Sequence, residues 1–122
     1  MWRWSRISEK LQTLPSSLRE KKRYIVFEII CRKDRELGQV LDAVWDSVLD
    51  FLGQEGTAKA DPWIIEGMFN EEEQKGAVKV KKDYVEEVRA ALALVQEIGG
   101  EEAALQILGV TGTMDSAREK YL

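Results

Sequence analysis

The chain has 122 residues, 44% of them apolar, and a formal net charge of −4, enough for one domain with a core that needs neither disulfides nor metals. No apolar run nears the roughly 18 residues of a membrane span, and the opening WRWSRISEK lacks the apolar stretch of a secretion signal, so a cytoplasmic protein with no membrane role is expected. Cys31 is the only cysteine and there is no histidine, which excludes an internal disulfide, a cysteine-based zinc site and Ser-His or Cys-His nucleophiles.

Residues 1–14 carry Trp4, Ile7, Leu11 and Leu14 at helical spacing. They read either as a frayed tail or as a helix docked on this domain or on a partner. Leu14-Pro15 stops any such helix, and residues 15–113 follow as one domain. Arg19, Lys21, Lys22 and Arg23 gather positive charge just ahead of an alternating run, Tyr24–Cys31, which predicts a strand with Ile25, Phe27, Ile29 and Cys31 on one face.

Leu37, Val40, Leu41, Val44, Trp45, Val48, Leu49 and Leu52 repeat at three and four residues, predicting a helix over about 36–52 that ends at Gly53. Asp42, Asp46 and Asp50 line its other side. That stripe is a solvated face first, and only secondarily a seat for a basic partner segment or a magnesium ion. A loop from Gln54 to Pro62 is expected, then a strand over Trp63–Phe69, a charged turn at 70–76 and a strand over Ala77–Lys82 with Lys79 and Lys81 projecting together. The three glutamates at 71–73 read as a solvated hairpin tip.

Asp83 with Glu86 opens a second helix, whose inward stripe runs through Tyr84, Val88, Ala91, Leu92, Val95 and Ile98 to a stop at Gly99-Gly100. Leu94 leaves its other face less polar than a fully exposed one. A last strand over about 102–110, a turn with Thr111 and Thr113, and a helical tail at 114–122 with Arg118 and Lys120 complete the chain. Strand, helix, strand, strand, helix, strand is the split βαβ arrangement: an α+β, ferredoxin-like or RRM-like fold with a four-stranded antiparallel sheet and both helices on one face.

The net charge hides a dipolar distribution. Residues 1–35 hold ten Lys and Arg against four acids, while residues 36–122 hold eight against eighteen, so contact with a polyanion is confined to local patches. The RNA-recognition motif stacks bases on aromatic residues of its third strand. Those places hold Ala77, Lys79 and Lys82 here, so contact from this strand is expected with phosphate and sugar. If Ile25, Phe27 and Ile29 face the helices, the open face displays Val26, Ile30, Ile64, Met68 and Leu108, which suits a protein interface. No paired acid and base, glycine-rich phosphate cradle or convergent polar pocket is visible, so no catalytic and no metal-binding residues are assigned, and a small-molecule enzyme on this frame is disfavoured.

LREKKRYIVFEI, GTAKADPWII at 56–65, YVEEVRAALALVQEIGG at 84–100 and LGVTGT at 108–113 stand in this order. Together they resemble the component 2 family of archaeal ribonuclease P protein subunits, an RNA-binding fold whose eukaryal relatives serve ribonuclease P and the mitochondrial RNA-processing ribonuclease. The resemblance implies a protein that binds and supports the ribonuclease P RNA as it removes the 5′ leader of precursor tRNA. It implies enzyme activity only within the holoenzyme, magnesium held in the catalytic RNA, no cofactor on this chain, and a TIM-barrel-type partner subunit in a heterotetramer. With it, Arg19, Lys21, Lys22, Arg23, Lys79, Lys81 and Lys82 become the RNA candidates, and Thr111, Thr113, Arg118 and Lys120 weaker ones. Each cluster taken alone reads first as a solvated charge run. The competing reading is a protein-assembly module of the same fold that never touches RNA.

Overall fold

A computed structural model describes residues 21–122, so the segment 1–14 and Arg19 lie outside the described residues. β-Branched and aromatic residues suit a pleated surface buried on one or both sides, and the densest run of them, Lys22–Cys31, is β1. It pairs antiparallel with β3 (Lys75–Lys81) on one side and β5 (Glu101–Thr111) on the other. Two-residue strands, β2 (Trp63–Ile64) and β4 (Glu97–Ile98), close the edges in the order β2-β3-β1-β5-β4. The architecture is α+β with an antiparallel sheet, but of five strands where four were expected.

Ile25, Phe27 and Ile29 alternate onto one face, joined by Val78 and Val80 of β3 and by Ala103 and Leu105 of β5. Two helices cover it. α1 (Leu37–Ala60) contributes Val40, Val44 and Val48 at four-residue steps, and α2 (Val85–Ala93) contributes Val88, Ala91 and Leu92. Fully burying one such side chain is worth about 1.5–3 kcal/mol, so this layer supplies most of the stability. Trp45, expected on the inward stripe, is 49% exposed, because the residue after Val44 is turned about 100° from the Val40–Val44–Val48 line.

Three expected boundaries move, each for a local reason. The first helix breaks at Gly53 (φ 75°) as expected but resumes to Ala60, so the expected loop at 54–60 is helical. Thr57 Oγ1 donates to the Val48 carbonyl at 3.4 Å across the break, and Ala60 is buried. The second strand keeps only Trp63–Ile64, since residues 66–68 wind into a 3-10 turn that buries Met68. The second helix stops at Ala93 rather than running to 98; Val95 and Ile98 are still buried, Ile98 on β4. Gly99 (φ 60°) and Gly100 (φ 83°), expected to end that helix, form the two-residue turn joining β4 to β5, where both central positions need positive φ.

The largest departure is on the other sheet face. α3 (Met114–Tyr121) starts at Thr113, whose Oγ1 accepts the Ser116 N–H at 3.1 Å, and lies across that face. Ala117 is fully buried there with Val26, Met68 and Ala77, flanked by Tyr24, Ile65, Leu108, Met114 and Tyr121. β5 makes room for it: a bulge shifts its register opposite Val26 and Phe27, and a Cβ at Gly109 would collide with the Tyr121 ring. Residues 114–121 thus close a second, smaller core. No described helix is long and apolar enough to cross a membrane.

Candidate nucleic-acid interface

In an antiparallel pair, residues directly opposite each other share a face and sit about 4.5–5.5 Å apart at Cβ. The β1–β3 register places Lys22 opposite Lys81 and Tyr24 opposite Lys79, and the Lys82 N–H donates to the Lys21 carbonyl at 3.0 Å. Two basic runs far apart in sequence therefore meet at one end of the sheet. Lys21, Lys81 and Lys82 line a cleft of about 420 Å³ together with Asp83, Tyr84 and Lys59. Lys59 comes from the last turn of α1; it was missed in the sequence because it stands alone there, and only the helical continuation past Gly53 delivers it.

Carboxylates temper this end without cancelling it. Lys22 pairs with Asp61 at 3.5 Å, and Lys59 with Glu55 at 3.0 Å one helical turn away. The Lys59–Glu55 pair is well exposed and worth at most about 1 kcal/mol, so Lys59 can exchange its carboxylate for a phosphate. Arg23 is half-buried, with Nη1 donating to the Lys22 carbonyl at 2.9 Å.

The weaker candidates are placed elsewhere or already occupied. Thr111 Oγ1 donates to the Thr113 carbonyl at 3.0 Å and Thr113 caps α3. Arg118 lines a separate groove with residues 67–72 and Leu122, and Lys120 is exposed on α3. The five apolar residues expected on one open sheet face do not form one. Val26 and Met68 are buried beneath α3 and Leu108 packs beside them, while Ile64 packs into the helix-side core. Ile30 alone is well exposed, at 50%.

The other exposed large apolar residues on the helix layer are Trp45, Phe51 and Leu94. Leu94 borders a groove with Asp42, Asp46, Asp50 and Glu97. Among the described residues no three His, Cys, Asp or Glu side chains converge as metal ligands. Burial raises the Tyr24 phenol above its ordinary 10.0.

The Rpp14/Pop5 family model matches residues 23–122, which includes Arg23, Lys79, Lys81 and Lys82 but not Arg19, Lys21 or Lys22. The chain is 45% identical over 114 residues to ribonuclease P protein component 2 of Thermococcus gammatolerans, covering 93% of each. It is 40% identical over 116 residues to that of Pyrococcus furiosus, covering 95% of each. To that of Methanocaldococcus jannaschii it is 38% identical over 114 residues, 93% of this chain and 82% of the relative.

Proposed function

Because the chain belongs to the Rpp14/Pop5 family, we propose that it works as a non-catalytic protein subunit of ribonuclease P, binding the catalytic RNA through the basic end of its sheet. The observation that carries this is the meeting of Lys21, Lys59, Lys81 and Lys82 in one cleft, with Lys22 and Lys79 beside it. Such a cluster neutralises phosphates whatever the base sequence, and so recognises the shape of a folded RNA. By holding that fold and screening its phosphate repulsion, the subunit lowers the magnesium the RNA needs to cleave precursor tRNA. The magnesium itself belongs to the RNA. The proposal includes a TIM-barrel-type protein partner, with which this chain forms a heterotetramer, and Arg19 and Arg23 as further phosphate contacts.

Reconstitution tests it. The ribonuclease P RNA with the TIM-barrel-type subunit should cleave precursor tRNA poorly at low magnesium until this chain is added. Replacing Lys21, Lys81 and Lys82 together by alanine should weaken RNA binding and lessen its salt dependence, by about one unit of log–log slope for each lysine that neutralises a phosphate. No stimulation by the wild-type chain would sink the proposal. Stimulation that survives the triple substitution, with unchanged salt dependence, would favour the assembly-module reading.

A further inference from the structure

Between α1 and the turn after α2 runs a groove of about 500 Å³, walled on the α1 side by Asp42, Asp46 and Asp50 and closed at one end by Leu94 and Glu97. The three aspartates recur at four-residue steps, so they form a row about 12 Å long on one side of the helix. All three are exposed, and among the described residues none is paired with a basic side chain. Leu94 is 56% exposed. The Ser47 hydroxyl donates to the Ala91 carbonyl and so ties α2 to α1 here. Phe51, one turn on from Ser47, leaves a second exposed apolar side chain on that side, at the Asp50 end. Apolar residues at both ends and a carboxylate row between them fit an amphipathic helix with a basic flank.

The chain itself supplies one. Trp4, Ile7, Leu11 and Leu14 form the apolar stripe of residues 1–14. At 100° per residue, Arg3, Arg6 and Lys10 fall along one flank of that stripe, and Glu9 falls on the far side. Arg3 to Lys10 is seven residues, about 10 Å of helix, against eight residues and about 12 Å from Asp42 to Asp50. Laid antiparallel to α1, such a helix brings Lys10 beside Asp50, Arg6 beside Asp46 and Arg3 beside Asp42. The tether fits as well. Lys21 shares its cleft with Lys59 and Tyr84, where α1 ends and α2 is about to begin. Asp50 is nine residues, about 14 Å of helix, before Lys59, and residues 15–20 span about 20 Å when extended. Leu14 therefore reaches the Phe51 end of the groove, from which the segment runs toward Leu94.

We propose that residues 1–14 of this chain dock as an amphipathic helix in the groove between α1 and α2, with Arg3, Arg6 and Lys10 against Asp42, Asp46 and Asp50. A helix of this length is marginal in water by itself, so its folding is coupled to docking. Exposed ion pairs contribute little each; the apolar stripe over Leu94 and Phe51 supplies the affinity, and the charged row sets direction and register. Lys21 is held by its hydrogen bond from Lys82. With Leu14 docked, residues 15–20 are fixed at both ends, which keeps Arg19 beside the basic cleft. The inference concerns contacts within the chain and does not rest on RNA binding.

Two measurements on the full chain, without RNA or partner, test it. In a Cys31→Ser background, Arg6→Cys with Asp46→Cys should close an intramolecular disulfide under mild oxidation. Arg6→Cys with Lys120→Cys, which lies on α3 across the sheet, should not. Amide exchange over residues 4–14 should be at least about tenfold slower than in the isolated 1–14 peptide. Arg3→Glu, Arg6→Glu and Lys10→Glu together should remove that protection, and adding Asp42→Lys, Asp46→Lys and Asp50→Lys should restore it. Near-ultraviolet dichroism establishes that the variants are folded.

Exchange at the rate of the isolated peptide, or a disulfide that forms as readily with Lys120→Cys as with Asp46→Cys, overturns the docking. A disulfide recovered only in covalent dimers gives the groove to the segment of a second copy, and the proposal fails. It fails too if protection appears only when the ribonuclease P RNA or the TIM-barrel-type subunit is added, since residues 1–14 are then an arm for that ligand. Protection that survives the charge reversal places the segment elsewhere on the domain and equally overturns the groove.

Discussion

The two faces of the sheet are built to different standards. The face beneath α1 and α2 is apolar along β1 and β3, with Ile25, Phe27, Val78 and Val80 fully buried. The face beneath α3 is apolar only in its middle, and turns cationic and aromatic toward Lys22 and Lys81. One face is committed wholly to stability. The other divides between a small core and the cationic row to which RNA contact is assigned by proposal, so a substitution's effect on folding and its effect on binding should separate by face.

The sharpest way to break that contrast is in the large core. Phe27→Ala should cost about 3–5 kcal/mol, read as a drop in the urea midpoint, and a chain this size can lose most of its stability that way. On the other face, Gly109→Val drives a side chain into the Tyr121 ring and should cost less, about 1–3 kcal/mol, mainly by lifting α3. Hydrogen exchange should then rise in residues 114–121 and at Val26 while β3 and the helix layer stay protected. Equal loss of protection everywhere would mean that the two cores fold as one.

At the basic end the order reverses, with little stability and much binding at stake. Lys21, Lys81 and Lys82 to alanine should move the urea midpoint by the equivalent of about 0.5 kcal/mol or less each, while RNA binding falls and becomes less sensitive to salt. Lys59→Ala sharpens the same point with one residue: it should lower the salt slope by about one unit and cost at most the small Lys59–Glu55 pair. A Lys59 variant with unchanged RNA affinity would place that lysine outside the interface.

What could be read in the chain beforehand follows the same division. β1 and β3 were legible because their alternation puts unlike residues on unlike faces, and the three valines of α1 because their spacing has one period. The end of α2 was not, since Val95 and Ile98 are three residues apart and fit a helix as well as they fit a turn followed by β4. The docking of α3 gave little signal, because its one fully buried residue is an alanine, Ala117, and Met114 and Tyr121 beside it are only partly buried. The basic runs were visible as charge. Their adjacency and the arrival of Lys59 depend on pairing register and on the helical turns after Gly53, which local composition does not encode.

The smallest expected effect sits on the boundary between the buried and open parts of the α3 face, at Tyr24. Burial holds its phenol protonated in the folded chain above the usual 10.0, while the unfolded chain releases that proton near pH 10. Folding then retains a proton that unfolding gives up, so Tyr24 contributes its full share of stability below about pH 10 and progressively less as pH rises beyond it. Tyr24→Phe removes this term. The thermal midpoint of the variant relative to the wild type should therefore rise between about pH 9 and pH 11, whatever the offset at neutral pH. In the Gly109→Val background, with α3 lifted and the phenol more hydrated, the rise should shrink; a rise of the same size there would show that the burial at Tyr24 comes from the strands beside it and not from α3.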